Sequence, residues 1–119
     1  MTRILLAEDT IQLAEEISDI LRLEKFDVVI ARNGREALDL LIITRPDVVI
    51  TDLLMPVMDG FELIEKIKSN PELKSIPVIT LSAKAAPEDR ARAQAAGADR
   101  FVQKPCKAHE LISAIRSLL

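Results

Sequence analysis

The sequence predicts an α/β domain, a doubly wound five-stranded parallel sheet with helices on both faces. Three observations predict it. Short runs rich in Val, Ile and Leu alternate with amphipathic stretches along the 119 residues. Such runs read as strands buried on both sides rather than on one. Five strand–helix units in series form a parallel sheet covered by helices, and right-handed crossovers leave few ways to wind it. Finally, four of the runs end in polar residues capable of chemistry, and ligands of open α/β sheets bind beyond the carboxyl ends of the strands. The expected strand order is 2-1-3-4-5, with the winding reversing between strands 1 and 3.

The first strand runs from Arg3 to Glu8. The helix after it carries Leu13, Ile17, Ile20 and Leu21 on one face, with Glu15, Glu16 and Asp19 largely off it. Val28 to Ala31 is the second strand. Asn33 is an N-cap for the second helix, which is expected to bury Ala37, Leu38, Leu41 and Ile42 and to stop before Pro46. Val48 to Thr51 is the third strand, followed by a turn, Met55-Pro56-Val57-Met58-Asp59-Gly60. The third helix places Phe61, Ile64 and Ile67 on one side and breaks at Asn70-Pro71. Ile76-Pro77 leads into the fourth strand, because a proline is tolerated at a strand's start. The fourth helix, Pro87 to Ala96, has a thin, alanine-based apolar face and ends at Gly97. A short fifth strand spans Asp99 to Gln103. The last helix bears Leu111, Ile112, Ile115 and Leu118.

Composition narrows the function classes. The length fits one domain, residues 1–119. Hydrophobic residues make up 49 % of the chain, enough for an aliphatic core. The net charge of −3 argues against direct nucleic-acid binding and against an anionic membrane surface. No apolar stretch approaches the roughly 20 residues that a membrane helix needs. The first strand begins so early that no signal peptide is expected ahead of it, and the expected location is cytoplasmic. A single cysteine, Cys106, excludes an internal disulfide and a cysteine-based zinc site. It reads as a buried, inert thiol. A single histidine, His109, reads as a helix-surface residue.

The strand ends sort into a site. Glu8-Asp9, Asp52, Ser82 and Lys104 all point to one edge of the sheet. Two carboxylates about 5 Å apart repel by roughly 3 kcal/mol at an effective dielectric near 20. Glu8, Asp9 and Asp52 together therefore need a cation or a proton. Oxygen ligands without His or Cys select a hard ion, and Mg2+ suits one or two carboxylates, several waters and a phosphate. A divalent cation, a lysine and a hydroxyl together form a receptor for phosphoryl oxygens. A carboxylate can then be the nucleophile, and Asp52, at the end of the central strand, is the candidate. Taken singly, Asp52 is a turn or capping residue, Ser82 a loop hydroxyl and Lys104 a surface charge; four complementary strand ends together argue for a site.

Those residues, Glu8-Asp9, Asp52, Ser82 and Lys104-Pro105, resemble the signature of response-regulator receiver domains. Met55-Pro56-Val57-Met58-Asp59-Gly60, Asn33-Gly34-Arg35-Glu36-Ala37-Leu38 and Ala96-Gly97-Ala98-Asp99 are similar to the family's supporting motifs. The resemblance spans the whole chain and implies the flavodoxin-like sheet order. It implies a two-component or phosphorelay switch rather than an enzyme, one that accepts and slowly hydrolyses its own phosphoryl group. Asp52 would accept that group from a histidine kinase or a histidine phosphotransfer protein. Asp9, Asp52 and the backbone carbonyl of Leu54 would bind Mg2+, with Glu8 acting mainly through water. Ser82 and Lys104 would hold phosphoryl oxygens, and a cis peptide before Pro105 would aim Lys104 inward. The switch would couple Ser82 to Phe101, whose ring turns inward, and would alter the face made by the fourth helix, fifth strand and fifth helix. Phe101 also reads as an ordinary core ring. Leu54 and Lys84 stand two residues after Asp52 and Ser82, where the family tunes hydrolysis. Neither hydrogen-bonds an attacking water or accepts its proton, so a long-lived phosphoryl state is expected.

Two alternatives differ at named positions. A haloacid-dehalogenase-type phosphatase needs a second aspartate where this chain has Leu54. A dinucleotide-binding protein needs a glycine- or hydroxyl-rich phosphate loop where this chain has Glu8-Asp9. The downstream target is expected to be a protein. The start at Met1 favours a stand-alone receiver over one excised from a larger regulator or hybrid kinase.

Overall fold

In the computed structural model, which describes residues 1–119, strands and helices alternate without exception. They are β1 (Arg3–Ala7), α1 (Ile11–Leu23), β2 (Asp27–Ala31), α2 (Gly34–Thr44), β3 (Val48–Thr51), α3 (Gly60–Ser69), β4 (Val78–Ser82), α4 (Pro87–Ala96), β5 (Arg100–Gln103) and α5 (Ala108–Ser117). The sheet is parallel throughout, in the order β2-β1-β3-β4-β5. The winding reverses between β1 and β3, as expected for the flavodoxin-like order.

Alternation along each strand divides the core in two. Leu5, Ala7, Val49 and Val78 face α2, α3 and α4, where they meet Ala37, Leu41, Phe61, Leu63, Ile64, Ile67 and Ala93. Ile4, Leu6, Val48, Ile50, Ile79 and Leu81 face α1 and α5, where they meet Ala14, Ile17, Leu21, Leu111 and Ile115. Fully burying such an aliphatic side chain is worth about 1.5–3 kcal/mol. The helices hold unequally. α3 buries Phe61, Leu63, Ile64 and Ile67, whereas α4 buries Ala93 alone, a methyl group worth about 0.8 kcal/mol.

Several caps follow the sequence. Asn33 accepts the Glu36 N–H at 2.8 Å, and Asp59 accepts the Glu62 N–H at 2.9 Å. Gly97 ends α4 at φ 119° with its bare Cα packed on the Lys68 stem. Asp99 closes this end of the domain, accepting the Val78 N–H at 2.8 Å and the Lys68 ammonium at 3.0 Å.

Four details differ from the sequence-based expectation. β1 stops at Ala7 and β5 starts at Arg100, one residue inside the expected bounds. Ile42 is 55 % exposed: the line of α2 that meets the sheet runs through Gly34, Ala37 and Leu41, and Ile42 falls off its edge. Phe101 is half-buried rather than a core ring, since α4 covers it with the Arg90 guanidinium and with no large apolar side chain. Cys106 is likewise half-buried. No helix is long and apolar enough to cross a membrane.

Candidate functional site

Register brings the charged strand ends together. Ala7 of β1 pairs with Thr51 of β3, so Glu8 and Asp52, the next residues, emerge side by side. The ladder continues one step past the strands: the Glu8 N–H donates to Ala31 C=O at 2.9 Å, and the Asp52 N–H to Ala7 C=O at 3.1 Å. Across the edge, Ser82 pairs with Gln103, and the Lys104 N–H donates to Ser82 C=O at 3.0 Å. The Lys104–Pro105 peptide is cis, as the family resemblance implies.

The Lys104 ammonium reaches back over the sheet edge and bridges two acids. Its Nζ lies 2.7 Å from Glu8 Oε1 and 2.9 Å from Asp52 Oδ2. The remaining oxygens take backbone donors: Glu8 Oε2 accepts the Thr10 N–H at 3.1 Å, and Asp52 Oδ1 accepts the Leu53 N–H at 2.6 Å. Asp9 is exposed, yet oxygens of Glu8, Asp9 and Asp52 all lie within 4.8 Å of one another. Burial pushes the Glu8 carboxyl above its ordinary 4.5, against the pull of the Lys104 ammonium. Burial also disfavours the charged form of Lys104, but its hydrogen bonds to Glu8 and Asp52 outweigh that and hold it above its ordinary 10.5.

The floor of the site is backbone. Gly60 begins α3 directly beneath Asp52, and a Cβ there would collide with the Asp52 carbonyl oxygen and sit 2.8 Å from Leu53 Cα. Its N–H donates to Leu53 C=O at 2.9 Å. Only a glycine lets the helix approach the loop that carries Asp52 this closely.

The remaining sequence-predicted residues lie nearby but are turned to other partners. Ser82 is buried at 1 % exposure, and its Oγ accepts the Lys84 N–H at 3.1 Å. The Lys84 ammonium points away to Asp89 of α4 at 3.2 Å. Leu54 is 60 % exposed. Phe101 carries the Arg90 guanidinium 4.5 Å above its ring. His109 is exposed on α5. Asp89 and Arg90 escaped the sequence reading. An acid two residues after a helix-starting proline is a capping signal, and Asp89 does accept the Ala86 N–H at 3.1 Å. Nothing local marks Arg90.

This donor set fits a small divalent cation. It is all oxygen, which suits Mg2+ rather than a softer ion. One ammonium against three carboxylates leaves the cluster two charges negative, matching such an ion. Glu8, Asp9 and Asp52 would hold it, with the exposed Asp9 side open to water and to a phosphate.

Comparison with known proteins points the same way. The family described as "Response regulator receiver domain" matches residues 4–116. A probable transcriptional regulator, ycf29 of Pyropia yezoensis, is 38 % identical over 117 residues, covering 98 % of this chain and 53 % of that protein. The chain spans about half the length of the curated relatives it matches. The signal receiver domain of a signal transduction histidine kinase from Syntrophus aciditrophicus superposes with a TM-score of 0.94 at 43 % identity, covering 100 % of this chain and 90 % of that one. The receiver domain of the sensor histidine kinase PA1611 from Pseudomonas aeruginosa PAO1, solved with a magnesium ion coordinated in its active-site cleft, gives a TM-score of 0.92 at 28 % identity, covering 98 % and 96 % of the two chains.

Proposed function

The chain belongs to the response-regulator receiver family, and on that premise we propose that Asp52 is its phosphoacceptor, charged by a histidine kinase or a histidine phosphotransfer protein. The observation that carries this reading is the Lys104 ammonium held between Glu8 and Asp52 inside a three-carboxylate cluster at the winding switch point. In the transfer, an Asp52 carboxylate oxygen attacks phosphorus. The O–P bond forms as the N–P bond of the donor phosphohistidine breaks, and the electron pair leaves with the imidazole nitrogen. Asp9, Asp52 and the Leu54 carbonyl would hold Mg2+, with Glu8 acting mainly through water, and the ion would supply charge neutralisation at the phosphoryl oxygens. Lys104 already sits on Asp52 Oδ2 and needs little movement to follow a phosphoryl oxygen. Ser82 becomes free to donate to another such oxygen once its Oγ–H turns outward; its Oγ accepts from Lys84 N–H in the present state.

The phosphorylated state is relayed from Ser82 to Phe101 and changes the face formed by α4, β5 and α5, which meets a downstream protein in the cytoplasm. The thin burial of α4 favours this route, because a segment with few buried contacts moves at low cost.

Incubation with acetyl phosphate and Mg2+, followed by intact mass spectrometry, tests the assignment. The wild type gains one phosphoryl group and Asp52→Asn gains none. Full labelling of Asp52→Asn would refute the assignment.

A further inference from the structure

We propose that Arg90 is a positioning residue for the switch: a clamp that holds the Phe101 ring and the β4–α4 loop in the resting arrangement. The inference rests on the relay from Ser82 to Phe101 proposed above and deepens it. Arg90 stands on the first turn of α4, and its guanidinium makes three contacts, two on β5 and one in the β4–α4 loop. It lies 4.5 Å from the Phe101 ring centroid. Its Nη2 donates to Gln103 Oε1 at 3.1 Å, and its Nε to Ala85 C=O at 3.3 Å. Ala85 belongs to the loop leaving Ser82. Phe101 and Gln103 lie on β5, in register with Thr80 and Ser82. One side chain therefore ties together the loop, the helix and the strand through which the signal has to pass.

Packing alone does not hold the ring. Phe101 is half-buried, and the clefts on either side of it, of about 490 and 310 Å3, both include Arg90 in their lining. α4 offers only Ala93 to the core on this side. If the ring moved inward, Arg90 would either lose the ring face or follow it out of water. Taking an unpaired guanidinium out of water is costly. Arg90 thus stabilises the half-buried position that the ring holds here over an inward-turned, ring-in one. A ligand that binds the ring-in state has its apparent affinity lowered by the scarcity of that state. Removing the clamp raises the population and tightens the ligand, with no contact between Arg90 and the ligand itself.

The sign of the effect makes the inference testable. Deleting a cation near an anion site weakens anion binding by simple electrostatics; deleting this one is expected to strengthen it. The chain has no Trp or Tyr and three Phe, so fluorine-labelled phenylalanine gives a short set of resonances, that of Phe101 being identified by its loss in Phe101→Leu. Beryllofluoride with Mg2+ is titrated into wild type, Arg90→Ala, Arg90→Gln, Arg90→Lys, Phe101→Leu and the double variant Arg90→Ala/Phe101→Leu. A cation–π contact of this exposure corresponds to about a three- to fivefold tightening in Arg90→Ala and Arg90→Gln. Arg90→Lys keeps a cation for the ring and falls between them and wild type. The Phe101 resonance of Arg90→Ala shifts part of the way to its saturated position before any ligand is added. In the Phe101→Leu background the Arg90 effect vanishes. Unchanged or weaker binding by both Arg90→Ala and Arg90→Gln, or an equal effect without the ring, would overturn the clamp while leaving Asp52 as phosphoacceptor. A wild type that binds no beryllofluoride would overturn that underlying reading, and the clamp with it.

Discussion

Leu54 and Lys84 flank the carboxylate cluster, and where they go bears on how long a phosphoryl group on Asp52 would survive. Hydrolysis needs a water held in line and relieved of a proton. Leu54 is mostly exposed and apolar, so it offers that water no hydrogen bond. Lys84 is turned toward Asp89 at 3.2 Å and, as an ammonium, accepts no proton. Leu54→Asn combined with Lys84→Glu is therefore expected to speed loss of the phosphoryl group by about tenfold, short of the ~10² that a well-placed acid–base group supplies. Acid-quenched time courses after removal of acetyl phosphate measure it. Because Lys84→Glu also sets like charges beside Asp89, Leu54→Asn alone is compared in parallel. Equal decay in wild type and double variant would contradict the argument. Both positions are marked in the sequence by the family resemblance, two residues after Asp52 and Ser82. The Lys84–Asp89 pair is not, because it depends on the turn that α4 takes after Pro87.

At the scale of elements, the loop between β3 and α3 carries the most conspicuous backbone feature. Val57 has φ 70°, and the Met58 N–H donates to Pro56 C=O at 2.7 Å. That is a three-residue γ-turn with a positive central φ, a strained arrangement, and a β-branched residue is the least suited to it. The side chain offers no compensating packing, being 80 % exposed. Left-handed backbone costs about 1–2 kcal/mol for a residue with a Cβ, while glycine loses part of that through unfolded-chain entropy. Val57→Gly is thus expected to stabilise by about 1 kcal/mol, seen as a rise of roughly 4 °C in thermal unfolding. A fall in the unfolding temperature would show that Val57 makes a contact worth more than the strain. The sequence marks Met55 to Gly60 as a turn but not its conformation, because the positive φ falls on Val57 and not on the glycine. Gly60 serves instead to let α3 touch the Asp52 backbone. Elements were readable because hydrophobic period fixes strand and helix. Faces were readable where the stripe is wide, as in α3, and misread where it narrows, as at Ile42 of α2 and around Phe101, where α4 has little with which to cover the sheet.

For the molecule as a whole, burying the charged form of Glu8 carries a cost that its pairing with Lys104 only partly offsets. Glu8 is 3 % exposed, and burial raises its pKa above 4.5 despite Lys104. The folded state therefore retains a proton on Glu8 that the unfolded chain has already released. The associated stability is complete below about 4.5, the unfolded value, and is lost as pH rises through the folded value. Lys104 is also raised, from 10.5; its contribution persists through neutrality and is lost only in the alkaline range, so it does not obscure the acidic window. Glu8→Gln mimics the protonated form at every pH. In EDTA, its unfolding temperature is expected to match wild type near pH 4.5 and to exceed it increasingly toward neutrality, which paired thermal melts across that range measure. A cation that binds the three carboxylates of the folded state stabilises it by mass action and screens their repulsion. Added Mg2+ is accordingly expected to raise the wild-type unfolding temperature at neutral pH more than that of Glu8→Gln, narrowing the gap. A pH-independent difference would mean that Glu8 acts through shape rather than charge, and an unchanged gap with Mg2+ would remove Glu8 from the metal site. The same balance sets the charge of the site: one ammonium against three carboxylates leaves two negative charges at the sheet edge, which a divalent cation would offset.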